Sequence, residues 1–165
     1  MNGPGNRGRS VRTHAMSDST IAVNRRARFD YDVLETVESG VMLTGSEIKS
    51  VREHRVSLQG SYARFKDGEL WLQDANIAPY ANAGYGQHDP RRDRKLLLHR
   101  RELARLQGAM GEKGLTLVPM RMYFKRGRAK LELALVRGRK LYDKRQKIRE
   151  REEGRQAARA IRQRV

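Results

Sequence analysis

Residues 115–137 read LTLVPMRMYFKRGRAKLELALVR, and this stretch predicts two strands joined by a tight basic turn. The first part, 115–124, is apolar almost throughout. The second part, 130–137, alternates with the period of two that places successive strand side chains on opposite faces. Leu131, Leu133 and Leu135 then share one face. The segment Lys125-Arg126-Gly127-Arg128 reverses the chain between them.

A second pair of strands is predicted upstream at 62–66 and 69–72. They flank Asp67-Gly68, a dipeptide that favours a two-residue hairpin because both turn positions need positive φ. Residues 20–37 precede these strands, and aromatic and β-branched residues predict a strand over 29–37. We expect a turn at Glu38-Ser39-Gly40, followed by a short return strand at 41–43.

Two helices are predicted between the strands. Thr44 and Glu47 have the spacing of a capping box, which indicates a short helix to about Arg52. Apolar residues recur at helical spacing from about residue 99, and this second helix should end at Gly111 or Gly114. The segment 78–95 is a loop. The chain is therefore expected to be mainly β with short helices, forming a small antiparallel barrel whose functional surface lies outside.

The charge is unevenly distributed. The 36 Lys and Arg exceed the 19 Asp and Glu, so the net charge is +17. Residues 138–165 carry +7, as much as residues 18–137. We therefore predict three parts: a disordered extension at 1–19, an RNA-binding barrel at 20–137, and a basic tail at 138–165. The tail has too few apolar residues to stay docked, and we expect it to be disordered alone and helical when bound to RNA.

Composition also narrows the function. The chain has no cysteine, which excludes disulfides and thiol chemistry. No apolar run approaches the ~20 residues that span a bilayer, and the N-terminus lacks the apolar stretch of a secretory signal. A cytosolic protein is the default expectation. Met1 and Met16 remain alternative starts.

Catalysis finds little support in the residues. Four histidines lack metal-ligand spacing and are interpreted as surface residues, and neither a phosphate-binding loop nor a nucleophile elbow occurs. Asp30 and Asp32, on one face of the predicted strand, are the remaining candidates for a hydrated metal, although a solvated face explains them better. We predict a protein that is not an enzyme and that has no cofactor or metal.

Polyanion binding finds more support. Three basic clusters interrupt the predicted strands: Arg25, Arg26 and Arg28; Arg91, Arg92, Arg94 and Lys95; Lys125, Arg126 and Arg128. Guanidinium groups suit phosphate because they donate in a bidentate fork. Tyr80 and Tyr85 could stack on unpaired bases. Tyr80 could equally pack on the barrel rim, and Trp71 is interpreted as core-associated.

The order of short motifs resembles the SmpB family of SsrA-binding proteins. The resemblance covers about residues 18–160 and lies in these segments: TIAVNRRAR at 20–28, GSEIKSVR at 45–52, SY at 61–62, ANI at 75–77, DP at 89–90, RKLLL at 94–98, REL at 101–103, GRK at 138–140, DKR at 143–145 and IRERE at 148–152.

This resemblance implies an oligonucleotide-binding-type (OB-like) barrel that grips the tRNA-like end of transfer-messenger RNA. It also implies a tail that enters the empty mRNA path near the decoding region of the small ribosomal subunit. By matching position, Asn24, Glu38 and Leu97 are implicated in binding the RNA. The tail positions implicated in ribosome function are Gly138, Arg139, Lys140, Asp143, Lys144 and Arg145. Tyr142 stands where some members carry His.

The predicted function is thus an RNA-binding adaptor for ribosome rescue, expected to be monomeric and to have no membrane partner. Glu38 is unusual for an RNA site, because a carboxylate repels phosphate. It could accept hydrogen bonds from bases, orient a neighbouring arginine, or be an ordinary turn acid. Two other functions stay open: a permanent ribosomal protein with a basic extension, and a metal-dependent RNA-processing enzyme that uses Asp30 and Asp32.

Overall fold

The computed structural model describes residues 19–112, 114–139 and 141–163, with the side chains of the last range described from 145 onward. In chain order the elements are β1 (Ser19–Val23), α1 (Arg25–Asp30), β2 (Tyr31–Val41), α2 (Gly45–Arg52), β3 (Val56–Ser57), β4 (Tyr62–Lys66), β5 (Glu69–Gln73), β6 (Asn76–Ile77), a 3-10 turn (Gly84–Gly86), β7 (Arg94–Leu97), α3 (Arg100–Met110), β8 (Leu115–Lys125), β9 (Arg128–Gly138) and α4 (Leu141–Gln163).

Seven strands form one antiparallel sheet in the order β1-β8-β4-β5-β7-β2-β9. Since β8 also pairs with β9 along its whole length, from Leu115 opposite Arg137 to Lys125 opposite Arg128, six of the strands close into a ring. Strand β1 pairs with the end of β8 that β4 leaves free. Strands β3 and β6 form a small separate sheet. The prediction of a mainly antiparallel β protein with short helices is confirmed.

The main core fills the inside of the ring. Leu70, Leu72, Leu117, Leu131 and Leu133 are among its completely buried side chains. Alternation along β8 and β9 sends a second set of apolar side chains to the outer face, where α1 covers them. This outer cluster consists of Ala27, Val118, Met120, Ala134 and Val136. Strand β8 reads as continuously apolar because it is buried on both faces.

Both hairpins are confirmed. Asp67 and Gly68 have φ of 53° and 76°, and Arg126 and Gly127 have φ of 52° and 75°. These paired positive angles match the twist of the flanking strands. The two predicted helices are also confirmed, as α2 and as α3, which Gly111 follows.

The predicted turn at 38–40 and the return strand at 41–43 are wrong. Strand β2 continues to Val41, and Gly40 lies opposite Lys130 of β9 and Leu97 of β7. A Cβ atom on Gly40 would lie 3.2 Å from the Leu97 Cβ atom. Gly40 therefore permits a close approach between strands rather than a turn.

The capping box of α2 does not form. Thr44 precedes the helix, but its side chain makes no capping hydrogen bond and instead lies 3.4 Å from the Ser46 hydroxyl. Glu47 is completely buried and forms ion pairs with Arg94, at 3.0 Å, and with Arg92. A buried carboxylate needs charged partners, and these are Arg92, at the end of the long loop, and Arg94, the first residue of β7, instead of groups at the helix start.

The tail is helical in this structure, as α4, and every side chain described from 145 to 163 is exposed. Helix formation on binding RNA stays a prediction. Disorder of the tail in the absence of RNA also stays a prediction. The extension at 1–19 is predicted to be disordered too; its residues 1–18 lie outside the described residues, and Ser19 belongs to β1. None of the described helices is long and apolar enough to cross a membrane.

Candidate nucleic-acid interface

Asn24 is buried, with 6% of its surface exposed, and it holds α1 on the ring. Its Oδ1 accepts from the backbone N–H of Ala27 at 3.3 Å and so caps the helix. Its Nδ2 donates to the carbonyls of Leu58 (3.3 Å) and Pro119 (3.0 Å). The amide oxygen and the amide nitrogen of Asn24 are therefore both hydrogen-bonded inside the protein.

The arginines of α1 face solvent. Arg25, Arg26 and Arg28 are exposed, whereas Ala27 packs on the outer cluster. Arg26 pairs with Asp30 one helical turn away, at 3.3 Å. The strand predicted over 29–37 begins only at Tyr31, because Phe29 and Asp30 belong to α1, a helix that was not predicted. Its signals were Asn24, a favoured N-cap residue, and the small Ala27 three positions later.

A second cationic surface lies at the β8–β9 turn, and we call Lys125, Arg126, Arg128 and Lys130 the basic hairpin. Lys125, Arg126 and Arg128 are exposed, and Lys130 is half-buried. Within the described part of the chain, no acidic side chain forms an ion pair with Arg126 or Arg128. These cations are available to a phosphate backbone, which guanidinium and ammonium groups bind strongly.

Glu38 lies at the edge of the basic hairpin, in the middle of β2. It accepts a hydrogen bond from the Tyr123 hydroxyl and two from Lys125 Nζ, both at 3.3 Å. The hydrogen bond from Tyr123, aided by Lys125, lowers the pKa of Glu38. Burial, together with the Glu38 contact, raises the pKa of Tyr123. Glu38 therefore stays ionised and orients a lysine; it is neither a turn acid nor an arginine partner.

An apolar cleft opens beside the same hairpin. It has a volume of about 310 Å³, and Leu97, Phe124 and Leu43 line it together with Arg52, Arg128 and Lys130. Leu97 is 47% exposed and sits over Gly40. An exposed leucine surrounded by cations suits the face of an unstacked base whose phosphates contact the rim. The structure thus brings Leu97, Glu38 and the basic hairpin together.

Of the four cations in the predicted loop cluster at 91–95, only Arg91 is exposed, and the other three are buried or half-buried. Arg94 is completely buried, and its guanidinium binds Glu47 and the carbonyls of Ala75, Pro90 and Arg92. Arg92 also pairs with Glu47, and Lys95 pairs with Glu69 at 2.8 Å. The predicted RNA-binding residue Arg94 therefore does not face solvent, and Lys95 is half-buried. Arg92, Arg94 and Lys95 differ from the exposed cations of the basic hairpin in their burial, which the sequence does not show.

The predicted tail residues that the structure describes differ in their contacts with the ring. Gly138 ends β9, and Arg139 is fastened to the ring, with its Nε 2.7 Å from Asp32 Oδ1. Arg145 is exposed on α4. Lys140 lies outside the described residues, as do the side chains of Tyr142, Asp143 and Lys144.

The aromatic candidates also separate. Tyr85 is fully exposed in the long loop, whereas Tyr80 is half-buried with Lys49 Nζ 5.2 Å from its ring centre. Trp71 is half-buried on the outer face between Leu70 and Leu72, so its interpretation as a core residue is wrong. The reason is the period of a strand, which sends Leu70 and Leu72 inward and Trp71 outward.

The metal candidates are held apart by other contacts. Asp30 ends α1 and pairs with Arg26, whereas Asp32 lies in β2 and pairs with Arg139, so the two do not share a strand face. In the described ranges no group of three or more acidic or histidine side chains is arranged to hold a metal ion. His88, expected at the surface, is buried between the Ser46 hydroxyl (2.8 Å) and the Ile77 carbonyl (2.9 Å).

Comparison with known proteins identifies the family. Residues 21–163 match the model of the SmpB protein family. The SsrA-binding protein of Chloroflexus aggregans is 55% identical over 148 residues, which cover 89% of this chain and 94% of that protein. The SsrA-binding protein of Acidothermus cellulolyticus is 53% identical over 145 residues, 88% of this chain and 91% of that protein.

A solved structure described as "tmRNA-SmpB: a journey to the center of the bacterial ribosome" superimposes with a TM-score of 0.62 and 55% sequence identity. The match covers 73% of this chain and 85% of that chain. The family model and the relatives match nearly the whole described chain, the solved structure matches 73% of the chain, and the protein therefore belongs to the SmpB family.

Proposed function

We propose that this chain is a non-catalytic adaptor that binds the tRNA-like part of transfer-messenger RNA and delivers it to stalled ribosomes for rescue by trans-translation. Relatives more than half identical over most of their length are named SsrA-binding proteins, and the similar solved structure is described with tmRNA and the ribosome. Such a role would be carried out in the cytosol, where stalled ribosomes occur.

The observation that carries the proposal is the exposed Leu97 cleft bordered by the basic hairpin. Apolar surface and free cations lie side by side on a rigid ring, where one RNA segment can meet both. The arginines of α1 extend this surface. Asn24, immediately before α1, bonds to the chain at Pro119 and Met120 of β8. Lys125 lies five positions beyond Met120 along β8, a distance of roughly 16 Å at ~3.3 Å per residue.

The division of labour can be tested by ending the chain after Lys140. The ring and its cations remain intact, so affinity for transfer-messenger RNA should stay within about threefold of the full chain. Tagging of peptides on stalled ribosomes in a reconstituted translation system should be lost. A full-length chain with residues 141–165 scrambled keeps the charge and should also fail in tagging. Loss of RNA affinity on truncation would contradict the division.

The location of the RNA contact has its own test. Alanine at Lys125, Arg126 and Arg128 together should lower RNA affinity strongly and reduce the salt slope by about 0.7–0.9 for each lost phosphate contact. The matched control removes three tail cations instead, Arg155, Arg159 and Arg162, and should leave both quantities unchanged. Equal effects of the two variants would mean that net charge, rather than the hairpin surface, determines binding.

A further inference from the structure

Arg139 makes contacts that a free tail residue would not make. Its side chain is only 8% exposed. Nε lies 2.7 Å from Asp32 Oδ1, and Nη1 donates to the Phe29 carbonyl at 3.4 Å. Its backbone N–H donates to the Asp30 carbonyl at 3.1 Å. Three groups within residues 29–32, at the junction of α1 and β2, therefore hold one residue, two positions before α4 begins.

A nearby arginine shows what an unanchored side chain looks like here. Arg137 is 54% exposed, and its one ion pair, with Glu112, is 3.6 Å long and itself exposed. Arg137 lies near the end of β9, Arg139 directly follows the strand, and both carry the same charge. The side chain of Arg139 contacts α1 and β2, whereas the ion pair of the Arg137 side chain is with Glu112, which makes Arg137 a matched control.

Two clefts lie between the same junction and the first turns of α4. A cleft of about 320 Å³ is lined by Arg139, Lys147 of α4, Arg28 of α1 and Tyr31 of β2. A second, of about 260 Å³, is lined by Arg139, Asp32, Gln146 and Glu150. Every described side chain of α4, from 145 to 163, is exposed, so the described contacts that hold the start of the helix are those of Arg139.

We infer that Arg139 is a positioning residue that fastens the root of α4 to the α1–β2 junction and so sets the direction in which the tail leaves the ring. A helix of 23 residues rises about 1.5 Å per residue and is roughly 35 Å long. A rotation of about 20° at the root would therefore move the far end by roughly 12 Å. Small changes at Arg139 decide where the tail arrives.

The same contacts connect the tail to an RNA-facing element. Phe29 and Asp30, which accept from Arg139, belong to the helix that carries Arg25, Arg26 and Arg28. This inference rests on the proposed function: Arg139 would fix the position of the tail that enters the ribosome relative to the RNA bound at α1. The residue would act in ribosome rescue by geometry, without touching RNA.

The direction of the tail can be measured as a distance in the full chain. Because the sequence has no cysteine, spin labels can be placed uniquely after Gln107→Cys on α3 and Gln156→Cys on α4. Pulsed electron resonance should give a narrower distance distribution for the otherwise unchanged chain than for the chain that lacks the Arg139–Asp32 pair. Arg139→Asp should broaden it, the swap Asp32→Arg with Arg139→Asp should narrow it again in part, and Arg137→Asp should leave it unchanged.

A milder variant tests the same ion pair by the same distance measurement. If Arg139→Asp impairs folding, Asp32→Asn removes the ion pair at a side chain that is 56% exposed and should broaden the distribution without unfolding the ring. A distribution equally wide with and without the Arg139–Asp32 pair would overturn the inference.

The tagging assay separates this inference from the proposed function. Arg139→Asp should keep its RNA affinity but lose tagging, with partial recovery in the swap. If the distances respond as expected but the unchanged chain neither binds transfer-messenger RNA nor supports tagging, the proposed function fails and the positioning role stands. If RNA binding and tagging occur but the distances do not respond, the positioning role fails and the proposed function stands.

Discussion

At the scale of single residues, the carboxylate of Glu38 is held by the Tyr123 hydroxyl and the Lys125 ammonium group. Its pKa is lowered from 4.5 mainly by the hydrogen bond from Tyr123. A carboxyl whose pKa is lower in the folded than in the unfolded state stabilises the fold above the unfolded pKa. That stability is lost as the pH falls through the folded pKa. Glu38 thus has a structural role that sequence reasoning could not assign.

We expect Glu38→Gln to cost stability near pH 7 and progressively less below about pH 4.5. Since the side chain is 39% exposed, the cost at pH 7 should stay under about 1 kcal/mol. Urea denaturation at pH 7 and at about pH 3.5 measures both values. In a Tyr123→Phe background the pH dependence should shrink, and an unchanged pH dependence would show that Tyr123 is not the main cause.

Asn24 offers a second prediction at this scale. Asn24→Asp keeps the Oδ1 acceptor that caps α1 but replaces the donor to the Leu58 and Pro119 carbonyls by an oxygen. The Leu58 carbonyl keeps its hydrogen bonds from Ser61. The Pro119 carbonyl loses the Asn24 donor, and both carbonyls would face a carboxylate oxygen, which should cost about 1–3 kcal/mol of unfolding free energy. RNA affinity should fall too, because α1 loses its anchor. Arg25→Ala is the contrasting variant: lower affinity with unchanged stability. An Asn24→Asp protein of normal stability would refute the anchoring role.

At the scale of elements, the two tight hairpins form a natural pair for comparison. Their turn residues have nearly the same φ angles, and a Cβ atom on Gly68 or Gly127 would meet nothing within 4 Å. They differ in charge, because one turn contains Asp67 and the other lies within the basic hairpin. The strand-pairing function of a turn can therefore be separated from the display of cations.

We expect Gly68→Ala and Gly127→Ala to lose similar stability, about 1 kcal/mol, because an L side chain is strained at positive φ. Only Gly127→Ala should weaken RNA binding, since it displaces Arg126 and Arg128 without changing the charge. Thermal unfolding and RNA titration measure the two effects. Equal RNA affinities for both variants would argue against a contact at the β8–β9 turn.

At the scale of the whole molecule, +14 of the net charge of +17 is shared equally by residues 18–137 and the tail, which have different expected partners, and the other +3 lies in residues 1–17. If the ring contacts the RNA and the tail contacts the ribosome, the salt dependence of RNA binding belongs to the ring alone. The charge of the tail then contributes to steering and to ribosome contacts rather than to the RNA complex.

The logarithm of the RNA-binding constant should therefore fall steeply with the logarithm of salt concentration, by about 0.7–0.9 for each phosphate contact. The chain that ends after Lys140 should give nearly the same slope as the full chain. Titrations between about 50 and 200 mM salt measure both slopes. A much flatter slope for the shortened chain would place the tail on the RNA instead of on the ribosome.

The sequence by itself determined the antiparallel β class, both tight hairpins, helices α2 and α3, the basic arm and the family resemblance. Each of these depends on patterns within a few residues: alternation, paired turn residues, helical spacing, and charge that needs only counting. The sequence pattern predicted the wrong start for β2 and a turn at Gly40. That glycine is explained only by Leu97, which lies far away in the chain and next to it in space.

The tertiary structure alone decided which polar residues meet solvent. Arg94 and Arg126 look alike in sequence, yet closure of the ring buries the first against Glu47 and leaves the second exposed. Asn24 and Arg139 likewise became internal anchors, because carbonyls and a carboxylate from distant segments converge on them. Burial and partnership depend on which strands become neighbours, and that follows from the register around the whole ring rather than from any local pattern.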